Sequence, residues 1–317
     1  MAEVPLVSAV IPTFDNAGMV VEAVQSVLDQ TWPRVEIVVV DDGSTDDTLV
    51  RLGAFGDRIR IVRQEHQGPA VARNAGIRAS AGEYVGFLDS DDLWMPKKVE
   101  KSMDALRATP KAGVAYTAVR IRETDTGRTY LLPQYTTSGW MARDLFLECK
   151  GVNTSTLVVK RECLDAVDGF DEEFFRAQDW DLMVRLAEKF PYVHVPEALT
   201  ERRLHERSLS VTHRDLYATY NLLVIRKALA RDPELYEALK DDALARAHYR
   251  FGMLHYGDFR LKEARAEFRR SLSHRWHIGV LGYFLRTFLP VELIRRLRGF
   301  RMRAAGPKKP PGDSAHV

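Results

Sequence analysis

The chain has 317 residues, 45% hydrophobic and 28% charged, with a formal net charge of +2. That length supports a real core in one large domain or two, the composition is that of a soluble globular protein, and the near-neutral balance argues against bulk nucleic-acid binding. The two cysteines, Cys149 and Cys163, have neither CxxC spacing nor histidines beside them, and fit reduced thiols in a cytosolic protein better than a disulfide framework or a zinc site.

The opening Met-Ala-Glu-Val-Pro lacks a basic segment followed by an apolar core, so no secretory signal is predicted. Leu6 to Ile11 then predicts a strand, stopped at Pro12-Thr13. Met19 to Leu28 carries Val20, Val24, Val27 and Leu28 at a helical period. Val35 to Val40 predicts a second strand, running into Asp41-Asp42-Gly43-Ser44-Thr45-Asp46, and Arg58 to Val62 a third. Gly68-Pro69 opens a helix whose free N–H groups favour an anion, with Arg73 and Asn74 as further donors. For Arg73 the alternative is a solvated helix arginine.

Tyr84 to Leu88 predicts a fourth strand and Gly113 to Val119 a fifth. Near-continuous apolar strands separated by helices predict a parallel sheet covered on both faces. Ligands of such sheets sit beyond the carboxyl ends of the strands. Three polar clusters fall there: Thr13-Phe14-Asp15, Asp41-Asp42-Gly43-Ser44 and Asp89-Ser90-Asp91. Asp89, Asp91 and Asp92 at the end of a buried strand repel one another, and a hard divalent cation with oxygen ligands relieves that. The alternative for this segment alone is a polar turn that opens a helix at Leu93-Trp94-Met95-Pro96. There is no GxGxxG after the first strand and no GxxxxGK[ST], which weighs against dinucleotide and P-loop readings.

These segments carry a resemblance. Val7-Ser8-Ala9-Val10-Ile11-Pro12-Thr13-Phe14-Asp15-Asn16, Val39-Val40-Asp41-Asp42-Gly43-Ser44-Thr45-Asp46, Ala72-Arg73-Asn74-Ala75-Gly76, Asp89-Ser90-Asp91 and Gln178-Asp179-Trp180-Asp181-Leu182 resemble, in order, motifs of the family 2 glycosyltransferases. The resemblance covers roughly residues 5 to 210. It implies an α/β GT-A fold with a Rossmann-like, mostly parallel sheet, a nucleotide-sugar donor, a divalent metal (Mn or Mg) and inversion at the anomeric carbon.

Carried over by position, the resemblance places Pro12, Thr13, Phe14, Asp15, Asp42, Arg73, Asp89 and Ser90 at the donor. Phe14 would lie against the nucleobase. Asp42 would accept the base imide N–H, favouring UDP or dTDP donors, and Asp89 would sit near the ribose. Asp91 would ligate the metal, and His205 would complete its shell; the alternative for His205 is an exposed histidine among Arg202, Arg203 and Arg207. Asp179 would be the general base, with an N-cap role as its alternative. Gln178, where the family often has Glu, and Trp180 would contact acceptor or sugar; for Trp180, as for Trp140, simple packing is the alternative. Competing functions are a sugar nucleotidyltransferase, which should show a glycine-rich basic loop that Pro12 to Gly18 lacks, and a non-catalytic nucleotide-sugar scaffold.

The remainder differs in composition. Leu216 to Ala230 and Leu235 to His255 predict amphipathic helices separated by Asp232-Pro233, and Gly252, Ala264 and Phe268 resemble one helix pair of a tetratricopeptide repeat, read as a cap on the catalytic domain. Residues 275–303 hold seven arginines and one acid, Glu292, interleaved with Phe284, Leu285, Phe288, Leu289, Leu293, Ile294, Leu297 and Phe300. The segment 276–294 is interrupted by His277, Arg286, Pro290 and Glu292, so no spanning helix is predicted. A basic amphipathic segment reads instead as a contact with an anionic membrane at its inner face, or as a helix docked on the protein's own core. Residues 304–317 have little to bury and predict a disordered tail. The expected domains are 1–210, catalytic; 211–274, helical; 275–303, basic amphipathic; and 304–317, tail. The expected acceptor is a glycan, free or lipid-linked.

Overall fold

The computed structural model describes residues 3–132, 135–149, 151–206 and 216–296. The calls on Arg207, on Leu297 to Arg303 and on the tail 304–317 lie outside these residues. Contacts divide the chain into two compact units, Met1–Ala243 and Leu244–Val317.

In the first unit, β1 (Val7–Thr13), α1 (Ala17–Leu28), β2 (Val35–Asp41), α2 (Thr48–Gly53), β3 (Arg60–Arg63), α3 (Pro69–Ala79) and β4 (Tyr84–Phe87) alternate as expected. There follow β5 (Leu93–Trp94), α4 (Lys98–Ala108), β6 (Val114–Glu123), β7 (Thr129–Leu131), α5 (Ala142–Leu147), β8 (Leu157–Lys160), α6 (Arg161–Asp165), α7 (Gln178–Lys189) and β9 (Tyr192–Leu204). The strands form one sheet in the order β3-β2-β1-β4-β8-β6-β9-β5, with β7 beside β6.

From β3 to β4 the sheet is parallel. The second half departs from the parallel expectation: β8 runs antiparallel to both β4 and β6, while β6 and β9 pair in parallel. A short strand such as Leu157–Lys160, buried up to its last residue, carries no mark of its direction in its apolar pattern. A second difference concerns Leu93-Trp94, which pair with β9 as a strand instead of opening a helix. Trp94 is buried beneath the sheet, its indole N–H donating to Ser155 O at 2.8 Å, and the helix starts only after Pro96.

Alternate residues of the buried strands serve the two faces. Val7, Ala9 and Ile11 of β1 with Ile37 and Val39 of β2 join the core beneath α1 and α4, while Val38 and Val40 pack with Ala72 of α3. Gly76 allows α3 its approach, since a Cβ there would lie 2.3 Å from Val10 Cγ1. The register pairs Thr13 with Asp41 and Val10 with Phe87, so the loops after β1, β2 and β4 emerge at one edge.

Helices continue with α8 (Tyr217–Arg231), α9 (Pro233–Tyr236), α10 (Lys240–Gly257), α11 (Leu261–His274) and α12 (Ile278–Arg286). The helical region that the sequence begins at 211 is divided between the units. Lys227 and Arg231 of α8 bind Asp171 and Glu188 of the first unit. In the second unit Phe268 and Ala264 form a core with Tyr256, Val280 and Ile294, and a Cβ on Gly252 would meet Phe268 at 2.5 Å, so the predicted helix pair packs closely. No described helix is long and apolar enough to cross a membrane.

One core residue makes a stability prediction. Lys98 is wholly buried at the start of α4, its Nζ donating to Thr156 O at 2.9 Å and Ser102 Oγ at 3.3 Å, and burial lowers its pKa to about 7. The unfolded lysine titrates near 10.4. Above pH 7 the unfolded chain therefore binds the extra proton, and stability rises with pH; below pH 7 both states are protonated and this group adds no slope. Urea unfolding between pH 7 and about 8.5 should show a rise of up to about 1.4 kcal/mol per pH unit that Lys98→Met removes. Equal slopes in the two proteins would contradict this assignment.

Candidate functional site

The three loops at the sheet edge enclose a cavity of about 410 Å³. Its lining includes Pro12, Thr13, Phe14, Asp15, Asp42, Arg73, Asp89, Ser90, Asp91 and His205, ten of the thirteen residues singled out from sequence. Asp179, Gln178 and Trp180 lie outside that lining, at the start of α7.

Asp42 is buried, and three donors hold its carboxylate. Oδ1 accepts from Gln64 Nε2 at 2.7 Å and Gln67 N at 3.0 Å; Oδ2 accepts from Gly68 N at 2.9 Å and faces His66 Nδ1 at 3.0 Å. This carboxylate fixes the 64–68 loop that leads into α3. His66 in turn stacks on Phe14, ring centroids 4.0 Å apart. Asp15 sits in left-handed backbone (φ 44°) and accepts from Thr45 N at 2.7 Å, tying the first loop to the second. Asn16 Nδ2 donates to Ser90 Oγ at 3.0 Å, tying the first to the third.

Arg73 is 4% exposed and bonds Asp89 Oδ1 at 2.5 Å. It is therefore not a solvated helix arginine. Its Nε and Nη1, and Thr13 Oγ1, are buried without hydrogen-bond partners. Because an unsatisfied buried donor costs about 1–3 kcal/mol, such groups point to a ligand that completes them.

Asp89, Asp91 and Asp92 present ligand atoms within 4.8 Å of one another. Asp92 is buried, accepting from Ser155 Oγ at 2.7 Å and Arg203 N at 3.2 Å. Burial, then the neighbouring Asp91 and Asp89 carboxylates, push its pKa well above the usual carboxylate range. His205 Nε2 lies 3.1 Å from Asp91 Oδ2 with its side chain largely covered, so it is not an exposed histidine among arginines. Arg203 holds Asp91 from behind, Nε donating to its backbone oxygen at 2.5 Å.

Asp179 is the second residue of α7, whose N-cap is Ala177 in left-handed backbone, so the N-cap alternative falls away. Its Oδ1 accepts from Trp180 N at 2.8 Å. Burial raises its pKa, and Asp89 adds to the rise, against Arg73, the Trp180 N–H and Arg202. The residues of the cavity thus act electrostatically on Asp179. Asp181, wholly buried, pairs with Arg185 at 2.7 Å, and Arg185 donates to Val167 O and Gly169 O. Trp180 is 4% exposed with its indole N–H on Leu145 O, which places its ring in the core and not on a sugar face. Gln178 is also buried, its Oε1 without a partner. Trp140 is 68% exposed.

The sequence reading missed His66 and Phe175, both of which line the cavity. The available signal for His66 was position: Gln64 to Gly68 joins a strand to a helix at the same edge as the other clusters.

Residues 8–155 match the family model described as Glycosyl transferase family 2. Chondroitin synthase of Escherichia coli is 30% identical over 237 residues, 73% of this chain and 34% of that protein. An uncharacterized glycosyltransferase of Rickettsia typhi is 29% identical over 223 residues, 69% of this chain and 70% of that one. The chain thus spans about a third of the chondroitin synthase that it matches. Among solved structures, S. aureus TarS 1-349 in complex with UDP-GlcNAc superposes with a TM-score of 0.64 at 21% identity, covering 90% of this chain and 82% of that one. Mannosyltransferase PcManGT from Pyrobaculum calidifontis, in complex with GDP-Man and Mn2+, gives 0.57 at 19% identity, covering 96% and 87%. These likenesses establish the GT-A fold.

Asp42→Asn would turn an amide NH2 toward N–H donors that the carboxylate now satisfies. It should destabilise the protein by about 1–3 kcal/mol in thermal or urea unfolding. Asp47→Asn, at an exposed pair with Arg51, should stay within about 0.5 kcal/mol. Equal effects would mean that the 64–68 loop does not depend on Asp42.

Proposed function

The chain belongs to the family 2 glycosyltransferases, and on that footing we propose that it transfers a sugar, with inversion, from a nucleoside-diphosphate sugar to a hydroxyl of a glycan or lipid-linked glycan. The observation that carries this reading is the joining, in one cavity, of the three-carboxylate cluster and the unpartnered buried nitrogens of Arg73. The cluster suits a divalent oxygen-bound cation, and the nitrogens suit the donor's oxygens.

In this reading Phe14, with His66 behind it, offers a flat wall to the nucleobase. Asp42 reads the base imide, favouring UDP or dTDP, once the flexible Gln64 side chain yields its place. Asp15 and Ser90 hold the loops around the donor, and Thr13 and Arg73 supply polar contacts to it. Asp91 and His205 are the residues we assign to a Mn or Mg ion, Asp92 being engaged by Ser155 and Arg203. When bound, the ion neutralises charge on the departing nucleoside diphosphate. Asp179 takes the proton of the acceptor hydroxyl, and its sheltered position, by raising its pKa, makes it a stronger base than a solvated aspartate. The chondroitin synthase relatives support a glycan acceptor and a role in polysaccharide synthesis; we place the reaction in the cytoplasm, at the membrane's inner face.

A panel of nucleotide sugars, scored by nucleoside-diphosphate release with and without manganese, tests the reading. No release with any donor would overturn it. Asp91→Ala should abolish metal-dependent donor binding in calorimetry while the fold persists. Asp179→Asn should bind donor with near-normal affinity yet transfer at least about 10²-fold more slowly, about 2.7 kcal/mol of barrier. The wild-type rate should fall on the acid side of a pKa raised from the ordinary aspartate value, and Asp179→Asn should lose that limb. If the variant's whole loss lies in donor affinity, Asp179 is a binding group and not the base.

A further inference from the structure

Charge is segregated along this chain. Residues 1–243 carry 30 Lys and Arg against 39 Asp and Glu, a net of −9, whereas 244–317 carry 16 against 5, a net of +11. The near-neutral total hides a strongly basic second unit.

Apolar exposure is segregated in the same direction. Among the described residues, five of the eleven exposed large apolar side chains fall within 276–293: Trp276, Ile278, Leu285, Phe288 and Leu293, each from 42% to 67% exposed. The helix α12, Ile-Gly-Val-Leu-Gly-Tyr-Phe-Leu-Arg, has no charge before Arg286. One of its stripes turns inward: Val280, Tyr283 and Phe284 pack with Tyr256 and Phe268. The opposite stripe, Ile278 and Leu285 with Phe288 just beyond, is left uncovered. A helix that is apolar all round needs a second apolar environment.

One arginine touches that stripe directly, and others lie over rings of the packed side. Arg286 lies over the Tyr283 ring, Arg295 over Phe259, and Arg265 over the Phe288 ring at 3.7 Å from its centroid. Arg275 and Arg296 are exposed, one before and one after this segment in the chain.

We propose that the second unit docks on an anionic lipid surface, with Ile278, Leu285 and Phe288 entering the acyl boundary and these arginines contacting the head groups. A second copy of the chain is a poorer occupant, because pairing this face with itself would bring two strongly cationic units together. A nucleic acid would use the charge and leave the apolar stripe in water. At nine residues α12 is roughly 13 Å long, far short of the hydrocarbon thickness, so the helix lies in the interface plane.

The full chain, without donor or metal, is sedimented with vesicles of phosphatidylcholine alone and with about one-third phosphatidylglycerol. The protein should bind only the anionic vesicles and be released as salt is raised. A Leu285→Ser, Phe288→Ser double variant should partition at least about 10-fold more weakly, with the melting temperature of the wild type. Arg295→Glu with Arg296→Glu should weaken binding and flatten its salt dependence. Should the double serine variant fail to fold, Trp276→Ser, exposed ahead of the helix, takes its place with the same expectation. The proposal is overturned if the wild type ignores anionic vesicles at low salt, if the serine variants bind as wild type does, or if sedimentation velocity shows a dimer that they dissociate while vesicles bind neither. Because donor and metal are absent, that failure leaves the proposed transfer reaction standing.

Discussion

The repulsion among Asp89, Asp91 and Asp92 is the constraint around which the first unit is organised. Three carboxylates within 4.8 Å at the end of a buried strand are tolerable only with compensation. Arg73 reaches Asp89 from α3; the backbone N–H of Arg203 reaches the Asp92 carboxylate and His205 that of Asp91, from the end of β9 and the residue after it. Compensation therefore depends on both halves of the sheet: on the close seat of α3 over β1 that Gly76 permits, and on the pairing of β9 with β6 and β5. The antiparallel β8 between β4 and β6 is what lets one sheet deliver both.

Burial and pairing then give chemically identical side chains different characters. Asp179 and Asp181 stand two residues apart on α7 and so point to opposite sides of the helix. Asp181 meets Arg185, and through it the backbone of the turn ahead of the helix, which marks it as part of the scaffold. Asp179 is pushed the other way: burial outweighs Arg73 and Arg202 and holds it protonated to a higher pH, the condition under which a carboxylate becomes a useful base. Asp42 shows a third outcome: a buried carboxylate held by three donors from the 64–68 loop, positioning the wall formed by Phe14 and His66.

Much was already determined by the sequence alone. The apolar runs of β1, β2 and β4 call for cover on both faces, so the α/β layering follows from composition and period. Because every loop at the carboxyl edge of such strands faces the same space, the convergence of Thr13, Asp42 and Asp89 follows too. Tertiary structure alone decided what local pattern does not encode. Strand direction was one such matter, since an apolar run as short as Leu157–Val159 carries no mark of its direction. The fate of Trp180 was another: a tryptophan beside an acid looks available, and only its burial and its bond to Leu145 O assign it to the core. His66 entered the site because Asp42 folds its loop back over Phe14, a contact between segments more than twenty residues apart. Burial is a property of the assembled chain, and the pKa of Asp179, the partners of Arg73 and the uncovered stripe of α12 are all set by burial.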